Sequence, residues 1–368
     1  MKPTEELSRG GQSLWLDNIT RNLLTQGTLQ RYIREFSVRG LTSNPTIFDQ
    51  AIKNGSAYDS AIGRLLAAGH SGEGLFFELA LEDLTAAADL FREVHEQSAG
   101  VDGWVSLEVS PLLARDARTT LAEAKELHAR AGRANLYIKI PGTAESLPAI
   151  EEAIFAGVPI NVTLLFSPAQ YLAAAQAYLR GVERRIEAGL NPNVSSVASL
   201  FISRWDVAVS GRVPDRLINR LGIAIGRSCY RAYASLLSSS RWRRALNAGA
   251  RAQRLLFAST GTKDPKASDI LYVKGLHAPF TINTVPEKTL QAFYDHGERD
   301  ADWSTEAVAA EEGLGEFRSA GIDLEALAGK LQDEGAASFV ASWNELLQVI
   351  ARKSESYGRP ARAIVSNA

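Results

Sequence analysis

The chain has 368 residues, of which 45% are hydrophobic and 22% charged, the composition of an ordinary folded globular protein. Its 40 basic and 42 acidic residues give a formal net charge of −2, which excludes a strong electrostatic footprint for nucleic acid or an anionic membrane. The single cysteine, Cys229, excludes an intrachain disulfide and is typical of a reducing compartment.

Neither a secretory signal peptide nor an apolar run of the roughly 18 residues needed to cross a membrane is recognisable. The five histidines are scattered, without the HxxxH or HxH spacing of a zinc or di-iron site. We therefore expect a cytoplasmic protein that holds no metal and has neither a membrane nor a nucleic acid as partner.

Short apolar runs recur along the chain and alternate with segments of helical periodicity. The runs predict eight strands, at residues 13–18, 38–43, 104–110, 136–141, 160–166, 197–203, 255–259 and 271–274. An amphipathic stripe from Phe76 to Val94 predicts helical structure, and the stretch from Glu287 onward, including residues 337–351, also predicts helices.

Strands that alternate with helices indicate a parallel sheet, and eight such units predict a closed (β/α)8 TIM barrel. The long gaps after the second and sixth strands predict inserted helices, in addition to those at the C-terminus. No linker composition divides the chain, so residues 1–368 are expected to form one domain.

Strand alternation predicts which side chains enter the barrel. Four strands carry one aliphatic face, which should pack outward, and one polar face with Asp17, Glu108, Lys139, or Asn161 and Thr163. These polar groups should converge near the C-terminal ends of the strands, where barrel enzymes carry their active sites. An ion-pair network closing the barrel mouth would explain the lysine and the acids, but the convergence of all these groups favours catalysis.

Burial disfavours the ammonium form of a lysine, and a neutral amine attacks a carbonyl to form a Schiff base. On a ketose, such an imine accepts the electron pair released when the C3–C4 bond breaks. The reaction needs a base on the C4 hydroxyl and a second acid/base for imine formation, roles that Asp17 and Glu108 can fill. It requires neither a metal nor another cofactor.

Seven motifs, in order along nearly the whole chain, resemble those of transaldolases, in particular of the longer bacterial subgroup. They are residues 14–17 (LWLD), 41–46 (LTSNPT), 105–109 (VSLEV), 137–143 (YIKIPGT), 160–167 (INVTLLFS), 199–204 (SLFISR) and 281–286 (TINTVP). The resemblance implies a barrel of the class I aldolase type. It also implies transfer of a dihydroxyacetone unit from sedoheptulose 7-phosphate to glyceraldehyde 3-phosphate, giving erythrose 4-phosphate and fructose 6-phosphate in the non-oxidative pentose phosphate pathway.

By motif match, the resemblance implies that Lys139 is the Schiff-base lysine and that Asp17 is the acid/base at the C4 hydroxyl. Glu108 is implied to act through a water held near Thr163. The structural alternative for Thr163 is a hydroxyl that satisfies a local backbone carbonyl.

Among the implied substrate contacts, Asn44 and Asn161 bind hydroxyls of the three-carbon unit, while Ser199 and Phe201 line the site. Three of these have structural alternatives: Asn44 precedes a proline and fits a helix N-cap, Ser199 is ordinary in a strand, and Phe201 fits a core.

At the phosphate end, the resemblance implies binding by Arg204 and Ser259. Many transaldolases place an arginine shortly after this serine, whereas the present chain lacks it and offers Lys263 as a point charge. The structural alternative for Arg204 is an ion pair with Asp206 or another acid.

Two other functions remain open from the sequence. One is a fructose-6-phosphate aldolase-like enzyme that releases free dihydroxyacetone, and the other is a non-catalytic barrel that binds sugar phosphates. The resemblance also allows a homodimer, although the sequence shows no exposed apolar stripe that would mark an interface.

Overall fold

Eight parallel strands pair in sequence order and close into a barrel, which confirms the predicted fold class. The computed structural model describes residues 1–298 and 307–358, so the rest of the predicted 1–368 domain lies outside the described residues. The strands are β1 (Gln12–Asp17), β2 (Val38–Thr42), β3 (Trp104–Glu108), β4 (Leu136–Pro141), β5 (Ile160–Leu165), β6 (Ser196–Phe201), β7 (Arg254–Ala258) and β8 (Thr281–Val285).

The predicted eighth strand at residues 271–274 is wrong, because these residues belong to a short helix, Leu271–Gly275, and the strand lies farther on at Thr281–Val285. A four-residue apolar run fits a turn of buried helix as well as a strand, and periodicity cannot separate the two. Tyr272 in this helix is buried, and its hydroxyl donates to Asp206 Oδ2 at 2.9 Å, which ties the helix to the region after β6.

Helices surround the barrel and include the predicted insertion after β2. The helices up to β6 are α1 (Pro3–Arg9), α2 (Arg21–Thr25), α3 (Thr28–Glu35), α4 (Pro45–Lys53), α5 (Asp59–Ala67), α6 (Gly72–Leu90), α7 (Arg92–Gln97), α8 (Ala117–Ala131), α9 (Leu147–Phe155) and α10 (Pro168–Glu187). Of these, α4 to α7 form the insertion between β2 and β3, and the predicted amphipathic stripe spans α6 and α7, which are separated at Phe91.

The insertion after β6 and the C-terminal helices are also present. The insertion consists of α11 (Ser203–Val209), α12 (Leu221–Ser238) and α13 (Ser240–Asn247), and the short α14 (Leu271–Gly275) lies between β7 and β8. The C-terminal helices are α15 (Glu287–His296), α16 (Ala307–Ser319) and α17 (Leu324–Gly358). Two short 3₁₀ segments lie at Pro111–Leu113 and Asp215–Leu217. Among the helices in the described ranges, none offers an apolar stretch of the length that a membrane span requires.

Aromatic rings fill the barrel interior toward the N-terminal ends of β1, β3 and β4. Trp15 stacks on Tyr137 with ring centroids 6.3 Å apart, and Tyr137 stacks on Trp104 at 4.1 Å. Gly40 on β2 admits the Trp15 ring, because a Cβ at this position would lie only 2.5 Å from it. These rings therefore fill the barrel interior on the N-terminal side of Asp17, Glu108 and Lys139, which follow them on the same strands.

The long helix α17 is fixed across this C-terminal end at two places. Trp343 packs against Phe76 and Phe77 of α6, with ring centroids at 4.9 and 5.7 Å. Gln332 Nε2 donates to the carbonyl oxygens of Gly142, just after β4, at 3.1 Å and of Leu164, in β5, at 2.9 Å. The helix thus covers part of the barrel mouth.

Candidate active site

Lys139 and Glu108 form a buried ion pair inside the barrel. They are register partners on β4 and β3, so strand alternation turns both side chains inward at the same height. Lys139 Nζ donates to Glu108 Oε2 at 3.1 Å and to the carbonyl oxygen of Ser43 at 3.1 Å, and the Lys139 and Glu108 side chains are only 6% and 4% exposed. Burial raises the pKa of Glu108, and the nearby Lys139 ammonium opposes this rise.

Asp17 ends β1 and faces the same space. Its Oδ1 accepts a hydrogen bond from Thr42 Oγ1 at 2.7 Å, and Thr42 Oγ1 lies 2.7 Å from Thr284 Oγ1 of β8. Burial raises the pKa of Asp17, whereas Lys139, the Thr42 hydroxyl and Lys263 act to lower it. A carboxyl with a raised pKa is suited to accept a proton and later return it near neutral pH.

Two buried oxygen atoms flank the lysine strand without a partner. Glu108 Oε1 on β3 and Thr163 Oγ1 on β5 make no hydrogen bond to any residue that the structure describes. The alternative that the Thr163 hydroxyl satisfies a local backbone carbonyl is therefore wrong. Buried polar atoms of this kind are normally satisfied by a water or a ligand, and these two lie on the strands adjacent to that of Lys139.

Asn161 is held by the side chains on either side of it. Its Nδ2 donates to Ser106 Oγ at 3.1 Å, and its Oδ1 accepts from Ser199 Oγ at 2.7 Å. These bonds fix the plane of a fully buried amide next to Lys139, which is its register partner on β4. Ser199 is thus more than an ordinary strand residue, because its hydroxyl orients Asn161.

Asn44 caps a helix, as its structural alternative predicted, and it also lines the cavity. It is the N-cap of α4, and its Oδ1 accepts from the backbone N–H of Ile47 at 3.1 Å. Capping occupies the amide oxygen and leaves the Nδ2 hydrogens for another acceptor, and Asn44 lies in the wall of the site.

Arg204 and Phe201 lie side by side at the outer part of the cavity. The Arg204 guanidinium carbon is 5.6 Å from the centroid of the Phe201 ring, and burial lowers the pKa of Arg204. The alternative of an ion pair with Asp206 is wrong, since Asp206 accepts instead from the backbone N–H groups of Leu221 at 2.9 Å and Gly222 at 3.1 Å. Across residues 1–298 and 307–358, Arg204 has no acidic side chain within ion-pair distance.

Ser259 lies just past β7 in a constrained turn. Its φ of +55° is uncommon for a residue with a side chain, and its Oγ lies 2.9 Å from Ser203 Oγ at the start of α11. Backbone strain of this kind is often found where a loop must present groups to a ligand. Ser259, Lys263 and Arg204 all contribute to the same wall.

The predicted residues converge on one cavity of about 300 Å³. Those that line it are Asp17, Asn44, Lys139, Thr163, Ser199, Phe201, Arg204, Ser259 and Lys263. Glu108 and Asn161 do not line the cavity, and they reach it through their contacts with Lys139 and Ser199. Within the described part of the chain, no group of three or more His, Cys, Asp or Glu side chains could hold a metal ion.

The cavity also includes residues that the sequence analysis did not single out, chiefly Thr42, Thr284, Ser338 and Phe339. The two threonines could have been found by applying strand alternation to β2 and β8. Ser338 and Phe339 come from α17, and no local pattern in the sequence indicates that this helix returns to the barrel mouth.

Comparison with known proteins decides the family. The family model described as Transaldolase/Fructose-6-phosphate aldolase matches residues 14–350. The chain belongs to this family. It is 43% identical over 360 residues to the transaldolase of Thermobifida fusca (strain YX), covering 95% of this chain and 98% of the relative.

Other relatives agree with this assignment. The transaldolase of Renibacterium salmoninarum is 42% identical over 353 residues, covering 94% of each chain. That of Mycolicibacterium smegmatis is 41% identical over 350 residues, covering 93% of this chain and 94% of the relative. The family resemblance predicted from the motifs is confirmed, and the chain is an enzyme, a transferase of the transaldolase type.

Proposed function

We propose that this enzyme transfers a dihydroxyacetone unit from sedoheptulose 7-phosphate to glyceraldehyde 3-phosphate through a Schiff base on Lys139. The products are erythrose 4-phosphate and fructose 6-phosphate. The observation that carries the proposal is a buried lysine amine that lines a cavity together with Asp17 and is hydrogen-bonded to Glu108.

The first step joins Lys139 to the ketose. Glu108 Oε2, at 3.1 Å, takes a proton from the Lys139 ammonium, and the neutral amine attacks the C2 carbonyl to give a carbinolamine. The carbinolamine then loses its hydroxyl as water, and an iminium forms. The unpartnered Glu108 Oε1 and Thr163 Oγ1 are suited to hold the water that carries the protons in this step.

The second step breaks the carbon chain. Asp17 accepts the proton of the C4 hydroxyl, the C3–C4 bond breaks, and its electron pair moves into the iminium to form an enamine on Lys139. The aldose phosphate departs as an aldehyde. In transfer, the enamine carbon attacks the acceptor aldehyde, Asp17 returns its proton to the new hydroxyl, and hydrolysis of the iminium releases the ketose product.

The remaining residues are proposed to hold the substrate. Asn44 Nδ2 suits a hydroxyl of the three-carbon unit, and Asn161 is proposed to act on another through Ser199, which lines the cavity and whose Oγ donates to Asn161 Oδ1. Arg204, Ser259 and Lys263 form the cationic end of the cavity, where a phosphate group would lie. In the described ranges no acidic side chain lies within ion-pair distance of Arg204, although Glu334 acts on it from farther away, so its guanidinium can bind an anionic ligand directly.

The aldolase alternative, which releases free dihydroxyacetone, is less favoured because the relatives that match over nearly the full length are named transaldolases. The proposal includes a cytoplasmic homodimer in which residues 1–368 form one domain. The family resemblance supports the homodimer, and the single cysteine supports a reducing compartment such as the cytoplasm. Light scattering of the purified chain measures the mass of the assembly and so tests for the dimer.

Borohydride trapping with fructose 6-phosphate, followed by peptide mapping, tests the mechanism. The adduct is expected on Lys139, and Lys139→Ala should abolish both the adduct and the transfer. Asp17→Ala should still give the adduct but should not release the aldose. Lys125→Ala, at an exposed lysine on α8, is the matched control and should behave as the unmodified enzyme.

A folded protein that binds the substrate but gives no adduct would contradict the Schiff-base mechanism. A coupled assay with erythrose 4-phosphate as the acceptor then separates transfer from release. Release of free dihydroxyacetone at an undiminished rate in the presence of this acceptor would favour the aldolase alternative.

A further inference from the structure

Phe339 of α17 lies over the amine of Lys139. Its ring centroid is 5.5 Å from Lys139 Nζ, within the distance at which a cation interacts with an aromatic face. The side chain is buried and lines the cavity, and its ring also meets the Phe201 ring edge-on at 6.4 Å. Phe339 therefore covers the reacting nitrogen on the side of the cavity that α17 closes.

The helix that carries Phe339 is held in place by other residues. Gln332 fixes α17 to the carbonyls of Gly142 and Leu164 two turns before Phe339, and Trp343 fixes it to α6 one turn after. Since these anchors lie on both sides of Phe339, its ring is not needed to attach the helix. Its position in the cavity wall instead points to a role at the site itself.

We propose that Phe339 shields the enamine on Lys139 from water, so that the three-carbon unit stays bound to Lys139 until an acceptor aldehyde binds. This inference rests on the proposed Schiff-base function. It assigns the choice between transfer and release to one residue of the C-terminal helix. Phe339 acts on Lys139 and is a positioning residue rather than an acid, base or nucleophile.

The reaction that Phe339 would suppress is hydrolytic release. In that reaction the enamine carbon takes a proton from water, and the resulting iminium is attacked at C2 by a second water. Its C–N bond then breaks, giving free dihydroxyacetone and the Lys139 amine. Hydrolysis of the iminium also ends the transfer reaction, so the step that Phe339 would suppress is the protonation of the enamine carbon by water beside Lys139, where the Phe339 ring lies. An apolar ring excludes this water, while its electron-rich face still tolerates the positive charge of the iminium.

The test measures the ratio of free dihydroxyacetone released to units transferred, with fructose 6-phosphate as donor and erythrose 4-phosphate as acceptor. Phe339→Ala should raise this ratio about tenfold, a change within the range of cation–π and apolar contacts of this kind. Phe339→Leu retains an apolar cover and should change the ratio by no more than about twofold. If the alanine variant does not fold, Phe339→Val, with part of the apolar volume, should raise the ratio by about threefold.

Trp343→Phe is the matched control, because it alters an aromatic anchor of the same helix without removing the ring over Lys139. Its ratio should equal that of the unmodified enzyme. An unchanged ratio in the folded Phe339→Ala variant would overturn the inference, as would an equal rise in Trp343→Phe. Borohydride trapping on Lys139, measured in parallel, distinguishes these results from failure of the proposed function, which would remove the adduct from the unmodified enzyme as well.

Discussion

Thr42 is predicted to set the pH at which Asp17 becomes active. Its hydroxyl donates to Asp17 Oδ1 at 2.7 Å and lowers the pKa of this carboxyl, which burial raises. A hydroxyl has one hydrogen, so when Thr42 donates to Asp17 the neighbouring Thr284 must donate to Thr42. Thr42→Val keeps the shape of the side chain and removes the hydrogen bond to the ionised acid.

The size of the effect follows from the value of one such bond. A hydrogen bond to a charged group contributes about 1.5–3 kcal/mol, so its loss should reduce the ionised fraction of Asp17 on the acid side roughly ten- to a hundredfold. The proposed mechanism needs Asp17 ionised to accept the C4 proton, and the rate therefore falls as the pH falls through its pKa. Removing the donor raises this pKa, so the acid limb of the profile should move to higher pH.

The measurement is kcat against pH, from about pH 5 to pH 9, for the enzyme and two variants. Thr284→Val is the matched control: it removes the donor to Thr42 and leaves the hydrogen bond to Asp17 in place. We expect a much smaller movement of the acid limb in this variant. Superimposable profiles for the enzyme and Thr42→Val, or equal movement in both variants, would refute the assignment of Asp17 as the group that titrates.

Further predictions concern the cationic end and the barrel interior. Arg204→Ala should raise KM for phosphorylated sugars about tenfold or more, with less effect on free dihydroxyacetone; equal effects on both would count against a phosphate contact. Lys263→Ala should do the same and should also move the acid limb of the kcat profile upward, because Lys263 lowers the pKa of Asp17. Gly40→Ala places a Cβ 2.5 Å from the Trp15 ring and should lower the free energy of unfolding by about 1–3 kcal/mol, measured by urea denaturation.

The inward-facing catalytic candidates were predicted mainly from the alternation of side chains along the strands. This alternation assigned Asp17, Glu108 and Lys139 to the interior because each stands opposite aliphatic neighbours on its strand, and the observed register places Glu108 directly beside Lys139. Period-two patterning is strong where one face meets helices and the other meets polar groups. The roles of these residues in the reaction remain predictions, for which the geometry supplies support.

Features that depend on contacts between residues far apart in the sequence could not be predicted. Leu164 adopts a φ of +59° within β5, next to an irregularity in its pairing with β6, and its carbonyl accepts from Gln332 of α17. Neither the unusual backbone nor its distant partner leaves a local pattern in the sequence. The misplaced eighth strand has a related cause, since the polar residues within Thr281–Val285 weaken its apolar signal, whereas residues 271–274 are mostly apolar.

The two ends of the cavity are connected by charge. Lys263 lies in the wall with Arg204 and Ser259, and it is also one of the groups that lower the pKa of Asp17. A phosphate that binds Lys263 would offset this positive charge and increase the proton affinity of Asp17. An arginine clamp remote from the acid would give tighter phosphate binding without this coupling. A phosphate contact at Lys263 would therefore bear on proton transfer as well as on affinity, and the Lys263→Ala profile separates the two effects.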